Sequence, residues 1–420
     1  GFLCSSMEDP IMIFSSVLFG IVLSFLAFLF AVFVISRFMK RENAAFEPKV
    51  SVVVPAYNEG KNIGECLDGV FASNYPKNKL EVIVVDDGSN DNTLKILEKY
   101  KKARILKQNH LGKVEALNNG IINSSNEFVL TLDADTTLDK RCIMEIVKPF
   151  LDKSIGATTG NNNIKNKKSV LSMFQNIEYH FTNLMRGSFS AVFRQGAWIS
   201  GSLACYRKSA IKKIGYFKKD TMAEDIDIAL ELKKARYKTI IVSAAFGHTI
   251  VPTRLKELYR QRVRWWIGTL QAIVKNRQLF STKSTPSILY LYISHFWWSF
   301  YAFISLPIII YQIHYWLPYN TQSLFSLGSY FFRWFSLMGP IYVLYKIPDF
   351  GVSLYSIFGV LAGVMMTIIS IAALRIFKDR LGFKNIFAIF FYFPYTIVLN
   401  IIILVSMLNH RFWKRSFYLK

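Results

Sequence analysis

Several acidic residues fall where short apolar runs end. The string VVVPAYNEG places Tyr57 and Glu59 just beyond Val50–Val54. Tyr57 offers a face for stacking a planar base, and Glu59 an acceptor for a ring N–H or a ribose hydroxyl. The same Pro-x-Tyr-Asn string is also an ordinary turn. In VIVVDDGSNDNT, Asp86 and Asp87 follow four apolar residues. Two carboxylates buried there without partners are costly. An Asx turn with Ser89 or Asn90 as helix cap accounts for the glycine but not for both acids. In FVLTLDADTTLD, Asp133 and Asp135 share one face of an extended segment, because side chains alternate with period two. Carboxylates side by side repel unless a cation lies between them. Their hard oxygens suit Mg²⁺ or Mn²⁺, with diphosphate oxygens completing the octahedron.

Two more groups carry chemistry. MAEDIDIAL sets Glu224, Asp225 and Asp227 at the start of a helical pattern. Acids favour a helix N-terminus through its dipole, and a carboxylate there also suits a general base for a sugar hydroxyl. LKELYRQRVRWWIG predicts a helix with two faces. Leu255, Leu258, Tyr259, Val263, Trp266, Ile267 and Leu270 share one face, flanked by Arg254, Lys256 and Arg260, as in a helix lying on a membrane surface. Gln261, Arg264 and Trp265, spaced i, i+3, i+4, lie on the other face. An arginine there suits a diphosphate, and an indole suits a sugar ring.

Elements must hold these groups in place. From Lys49 to about Thr253, the β-branched runs Val50–Val54, Val82–Val85, Phe128–Leu132 and Thr239–Val242 alternate with helical stretches such as Asn62–Ser73 and Asn92–Lys101. That order predicts an α/β domain with a mainly parallel sheet, helices on both faces, and a site beyond the carboxyl ends of the strands. Ile11–Ile35 is apolar, uncharged and long enough to cross a bilayer. Arg37, Lys40 and Arg41 behind it place that end on the cytoplasmic side. The run is too long for a signal peptide and has acidic rather than basic residues before it. Further apolar spans lie near Ile288–Ile310, Leu324–Leu344, Leu354–Leu374 and Ile386–Leu408. If all four cross, the basic tail His410–Lys420 is cytoplasmic but the basic loop Arg375–Lys384 is not. One segment is therefore expected to be interfacial or re-entrant, and the second and the last, with Pro340 and Pro394, are the weakest.

Composition agrees. Hydrophobic residues are 52 % of the 420, with 15 % aromatic and a mean hydropathy of +0.26. A net charge of +23 beside such spans indicates anionic headgroups and an anionic small substrate rather than nucleic acid. Cys4, Cys66, Cys142 and Cys205 form no CxxC pair, so reduced structural thiols are expected. The six histidines form no zinc motif. No role is assigned to Gly1–Ser6 ahead of Met7.

Taken in order, VPAYNE, DDGS, GKxxALN, DAD, SG, ED and QxxRW resemble the inverting family-two glycosyltransferases. Within them, the chain is similar to the processive membrane synthases of chitin, hyaluronan, cellulose and poly-N-acetylglucosamine, over about Val50 to Gly268. The resemblance implies a GT-A-type, Rossmann-like catalytic domain over residues 48–253. A transmembrane helix and basic flank would occupy 1–47, an interfacial QxxRW helix 254–284, and a transmembrane region 285–420. It implies a multi-pass plasma-membrane protein with its catalytic domain in the cytoplasm. It also implies uridine contacts at Tyr57, Glu59 and Asp87 beside Asp86, and a diphosphate contact at Lys113. Metal binding falls to Asp135 with Asp133, and an acceptor-side turn to Ser200 and Gly201. Asp225 would be the base, with Glu224 beside it. Gln261, Arg264 and Trp265 would hold the diphosphate and the polymer end. Ala223 stands where the family's TED triplet has threonine, which loses a hydroxyl. EDIDI is more similar to poly-N-acetylglucosamine synthases than to the GDD of hyaluronan synthases, which points to UDP-N-acetylglucosamine as donor and a β-linked product. Two rivals predict different features. A single-sugar transferase acting on a lipid phosphate has no use for QxxRW. A transporter with a nucleotide-sensing domain calls for charges within the spans, where Arg333 alone is found.

Overall fold

The computed structural model describes residues 10–39, 45–281, 284–315, 317, 323–350 and 353–408. Cys4, Lys40, Arg41 and the basic tail from His410 lie outside the described residues. The chain divides into two compact units. One holds Ser36–Lys167 and Arg186–His295, and the other holds the chain up to Ile35, Lys168–Met185 and Phe296–Leu408.

The first unit is built on eight strands: β1 (Val50–Ala56), β2 (Leu80–Asp86), β3 (Arg104–Lys107), β4 (Phe128–Leu132), β5 (Thr137–Leu138), β6 (Ile155–Ile164), β7 (Leu203–Arg207) and β8 (Lys238–Thr249). They form one sheet in the order β3-β2-β1-β4-β7-β6-β8-β5. β3, β2, β1 and β4 are parallel. β7 runs antiparallel to both β4 and β6, and β6 is parallel to β8. The sheet is therefore mixed. β3, β5, β6 and β7 were not marked by apolar runs in the sequence. In β6 the reason is clear: Thr158, Thr159 and Asn161 are polar yet buried, and their side chains bond to backbone carbonyls of Ile146, Leu203 and Ser243.

Period-two alternation feeds two cores. Val52, Val54, Val82 and Val84 face one side, with Ile63, Leu67, Cys142 and Ile146. Val53, Ile83 and Val85 face the other, with Leu117, Ile121, Ile211 and Ile228. Each such side chain, when fully buried, contributes about 1.5–3 kcal/mol. The helices that supply the partners follow in chain order. After α1 (Pro10–Phe38) come α2 (Ile63–Phe71), α3 (Thr93–Leu97), α4 (Lys113–Ile122), α5 (Cys142–Val147), α6 (Val170–Phe193), α7 (Lys208–Ile214), α8 (Glu224–Lys234) and α9 (Leu255–Lys275). α2 buries Ile63, Cys66, Leu67 and Val70, one stripe at i, i+3, i+4, i+7. α3 is shorter than its sequence pattern implied, and its N-cap is Asn92 rather than Ser89 or Asn90. Cys66, Cys142 and Cys205 are free and buried.

The remaining helices are α10 (Pro286–Tyr315), α11 (Leu324–Trp334), α12 (Met338–Phe350), α13 (Leu354–Ile376), α14 (Phe383–Phe390) and α15 (Tyr392–Leu408). Among the described residues, three stretches are long and apolar enough to cross a membrane, Ile13–Phe38, Pro286–His314 and Ser356–Ile376, and the bent pair α14 and α15 makes a fourth if it counts as one span. The Leu324–Leu344 run is no single span. It breaks into α11 and α12 around Ser336, whose hydroxyl donates to Phe332 O and accepts from Met338 N. α14 and α15 meet at a 60° bend, with Pro394 in the first turn of α15, where its missing N–H is tolerated. Both weak spans anticipated from the prolines are thus interrupted. Within this second unit, Asn176 and His180 of α6 bond to Asp379, in the loop between α13 and α14, at 2.8 and 3.0 Å.

Candidate active site

Strands β1, β2 and β4 deliver three loops side by side. The first two are stitched together. Asn58, in a left-handed conformation at φ 55°, donates its N–H to Ser89 Oγ and accepts from Asn90 N. Ser89 therefore ties loop to loop instead of capping a helix. Glu59 N donates to Thr93 Oγ1, and Glu59 Oε2 accepts from Asn62. Burial pushes the Glu59 carboxyl up, reinforced by Asp135 and Asp133.

Asp86 and Asp87 are both 2 % exposed, yet they differ. Asp87 is saturated by its own neighbourhood: Oδ1 accepts from Gln108 Nε2 at 2.7 Å and Leu111 N at 2.9 Å, and Oδ2 from Gly112 N at 2.9 Å. His110 Nδ1 also lies 2.9 Å from Asp87 Oδ2. Through these bonds Asp87 holds the loop that leads into α4. Asp86 Oδ1, in contrast, is buried without a hydrogen-bond partner among the described residues.

Lys113 opens α4 and reaches across to two acids, with Nζ 2.7 Å from Asp133 Oδ1 and 3.3 Å from Glu224 Oε1. Burial alone would lower the lysine's affinity for its proton, but Asp133 and Glu224 reverse that and push it up. Burial raises the Asp133 carboxyl, against the pull of Lys113. Burial would raise Glu224 too, but Lys113, a backbone N–H and Arg264 together hold it below the usual carboxylate range. Next to it, burial and the Glu224 charge push Asp225 up to about 6. Its two oxygens are fixed by backbone N–H groups, Gly201 N to Oδ2 at 2.9 Å and Ile226 N to Oδ1 at 2.8 Å.

The Ser200–Gly201 turn thus orients the Asp225 carboxylate. A Cβ at Gly201 would sit 3.1 Å from Asp225 Oδ2, so the glycine permits this approach. The turn also accepts Asp133 N at Ser202 O and is anchored by Asn162 on Ser200 Oγ. Asp135 Oδ1 accepts from Thr136 Oγ1 at 3.0 Å and Thr249 Oγ1 at 3.4 Å.

Helix α9 corrects one expectation. Leu258, Val263 and Ile267 are fully buried and Leu270 nearly so. Trp266 stacks on His295 with ring centroids 4.2 Å apart. Much of the apolar face assigned to lipid is therefore covered by protein, although Leu255 at its start is 61 % exposed. Arg264 and Trp265 on the other face are exposed. Gln261 Oε1 is buried without a partner among the described residues, and Arg262 lies 4.4 Å over the Trp265 ring.

The structure links Lys113 electrostatically to Asp133, Glu224, Asp225 and Arg264, and Asp133 and Asp135 to each other and to Glu59. Sequence reasoning missed His110, Thr249 and Arg262. A ring three residues before Lys113 and a hydroxyl at the end of β8 were the available signals. Among the described residues, no group of three or more His, Cys, Asp or Glu side chains is arranged to hold a metal. Asp133 and Asp135 supply hard carboxylate oxygens, and Cys66 Sγ meets the Asp133 backbone carbonyl at 3.7 Å. The set fits a hard divalent ion whose other ligands come from a bound diphosphate.

Residues 48–268 match the family model described as glycosyltransferase like family 2. With just over half of its length matched, the chain belongs to that family. It is similar to the poly-beta-1,6-N-acetyl-D-glucosamine synthase of Staphylococcus epidermidis, 34 % identical over 245 residues, covering 57 % of this chain and 58 % of that protein. The synthase of the same name from Staphylococcus aureus strain COL is 35 % identical over 243 residues, covering 56 % and 58 %. The chain thus spans under two thirds of the length of these curated relatives. A mannosyltransferase from Pyrobaculum calidifontis, solved in complex with GDP-Man and Mn²⁺, superposes with a TM-score of 0.54 at 21 % identity, covering 86 % of this chain and 100 % of that one. That likeness shows the shared GT-A-like α/β fold.

Proposed function

We propose that the chain transfers N-acetylglucosamine from UDP-N-acetylglucosamine, with inversion, to the growing end of a β-linked polysaccharide at the cytoplasmic face of the plasma membrane. One observation carries the reading: Asp225 stands beside the Lys113–Asp133–Glu224 cluster with Arg264 in reach, joining a base to a cationic and acidic diphosphate site. The names of the staphylococcal relatives support the sugar and a β-1,6 linkage.

In this reading Tyr57, Glu59 and Asp86 receive the uridine, and Asp87 holds the loop behind it. Asp225, poised at about 6, takes the proton of the acceptor hydroxyl. Lys113 and Arg264 offset the charge that develops on the departing diphosphate. Gln261 contacts the same group, and Trp265 stacks on the terminal sugar. A Mg²⁺ or Mn²⁺ ion held by Asp135 and Asp133 would add Lewis-acid stabilisation of that leaving group.

The membrane reading rests on α1, α10 and α13. With α11 and α12 interrupted, α10 and α13 cross as a pair, and the Arg375–Lys384 loop returns to the cytoplasmic side. The polymer's exit would run among these helices.

The test is to supply purified protein with single radiolabelled UDP-sugars and digest the product with linkage-specific hydrolases. High-molecular-weight product from UDP-N-acetylglucosamine alone, cleaved by a β-1,6-specific enzyme, is expected. A lipid-extractable product carrying one sugar would replace the proposal with single-sugar transfer to a lipid acceptor.

A further inference from the structure

One stripe of α9 does two jobs. Gln261, Arg264 and Trp265 continue at helical spacing into Gly268, Gln271, Ala272, Lys275 and Asn276. The second half of the stripe is docked on the segment that carries the base. A Cβ at Gly268 would lie 2.6 Å from Ala223 N, so only glycine allows the helix this close. Gln271 Oε1 accepts from Met222 N at 3.0 Å. Ala272 and Ile273 share a core with Ala223, Ile226 and Leu230.

The seam ends in a charged pin. Asp227 is 1 % exposed and points away from the site. Its Oδ2 lies 2.6 Å from Lys275 Nζ, and its Oδ1 accepts from Asn276 Nδ2 at 3.1 Å. Lys275 also reaches Asp220 at 2.9 Å and Glu231 at 3.8 Å. Asp225 and Asp227 stand two positions apart on α8, on opposite sides, so one helix carries the base on one side and grips α9 with the other.

We propose that Asp227, with Lys275 and Asn276, is a positioning group that fixes the register of Gln261, Arg264 and Trp265 against the base Asp225. It touches no substrate. A helix in which two of these residues hold the leaving group and polymer end must not slide or rotate relative to the base, because small misplacements of reacting groups are expensive in rate. Gly268 sets how near α9 comes, and the pin sets where along its axis it stops.

The inference rests on the proposed reaction, and its test separates the two. Full-length protein in detergent is compared as wild type, Lys275→Met, Lys275→Arg and the double variant Asp227→Asn/Lys275→Met. The double variant leaves no unpaired buried charge, so it guards against simple failure to fold. Without any substrate, hydrogen exchange over residues 258–270 is expected to speed up at least tenfold in Lys275→Met and the double variant, with α4 unchanged and Lys275→Arg close to wild type. In turnover, kcat is expected to fall at least tenfold and the product to shorten in Lys275→Met and the double variant, with Lys275→Arg restoring both. Unchanged exchange over 258–270 would overturn the pin. Exchange that speeds up in α4 as much as over 258–270 would reduce the effect to general stability and overturn positioning. If exchange responds as expected but wild type polymerises no sugar, the pin stands and the proposed reaction fails.

Discussion

The imidazole of His110 lies flat on the phenol ring of Tyr57, centroids 3.9 Å apart and planes 21° apart, with Nδ1 held by Asp87. The stack stiffens the ring expected to receive the base. Aromatic pairs of this kind contribute about 0.5–1.5 kcal/mol. His110→Ala is therefore expected to weaken UDP binding roughly threefold to tenfold, measured by titration calorimetry. Tighter binding would mean that the imidazole competes with the base for the ring.

The acid limb of the rate is a second test. Asp225 serves as a base only when ionised, so activity should be full at neutral pH and fall as pH drops through about 6. Lys113 lowers the Asp225 value, so Lys113→Met should move the limb to higher pH as well as slow the reaction. Glu224 raises it, so Glu224→Gln should move the limb to lower pH. Asp225→Asn should leave under about 1 % of turnover with UDP affinity unchanged. Opposite shifts in the pH–rate profiles would reassign the base.

Metal removal probes Asp135. Chelation should stop synthesis, and Mg²⁺ or Mn²⁺ should restore it. Asp135→Asn should weaken UDP-dependent Mn²⁺ binding, read by electron paramagnetic resonance independently of turnover. Full activity after exhaustive chelation would remove the ion from the reaction.

The two faces of α9 should separate cleanly. Trp265→Ala should cut both sugar transfer and product length severely while leaving the melting temperature nearly unchanged, since the ring is 39 % exposed. Leu258→Ala, at a fully buried position, should cost about 2–5 kcal/mol of stability. Thermal melts and product sizing on the same preparations decide the matter. Equal modest effects would make α9 a plain scaffold.

The parts legible in the sequence were those governed by local pattern. The runs around Val52, Val84 and Leu130 announced β1, β2 and β4, and Asp133 and Asp135 announced themselves by spacing. Partnership over long sequence separations was not legible. Nothing local indicates that Gly201 N bonds to Asp225, 24 residues away, or that Asp87 is consumed by Gln108, Leu111 and Gly112. The amphipathic pattern of α9 was read correctly as a pattern, but hydrophobicity cannot say whether a face meets lipid or protein. β6 escaped notice because its buried polar side chains are satisfied by backbone groups brought to them by folding.

Asp86 Oδ1 would give the proposed uridine site a means of discrimination. A buried acceptor without a donor is satisfied only by a ligand that presents an N–H or O–H to it. Uracil carries a ring N–H at N3, where cytosine carries a lone pair. In the proposed site, a cytidine nucleotide would set lone pair against carboxylate, and sites built to meet a donor reject analogues lacking it by about 10⁴–10⁵. The second acid of the Asp86–Asp87 pair shapes the loop, and in the proposed site the first would tell one pyrimidine from another.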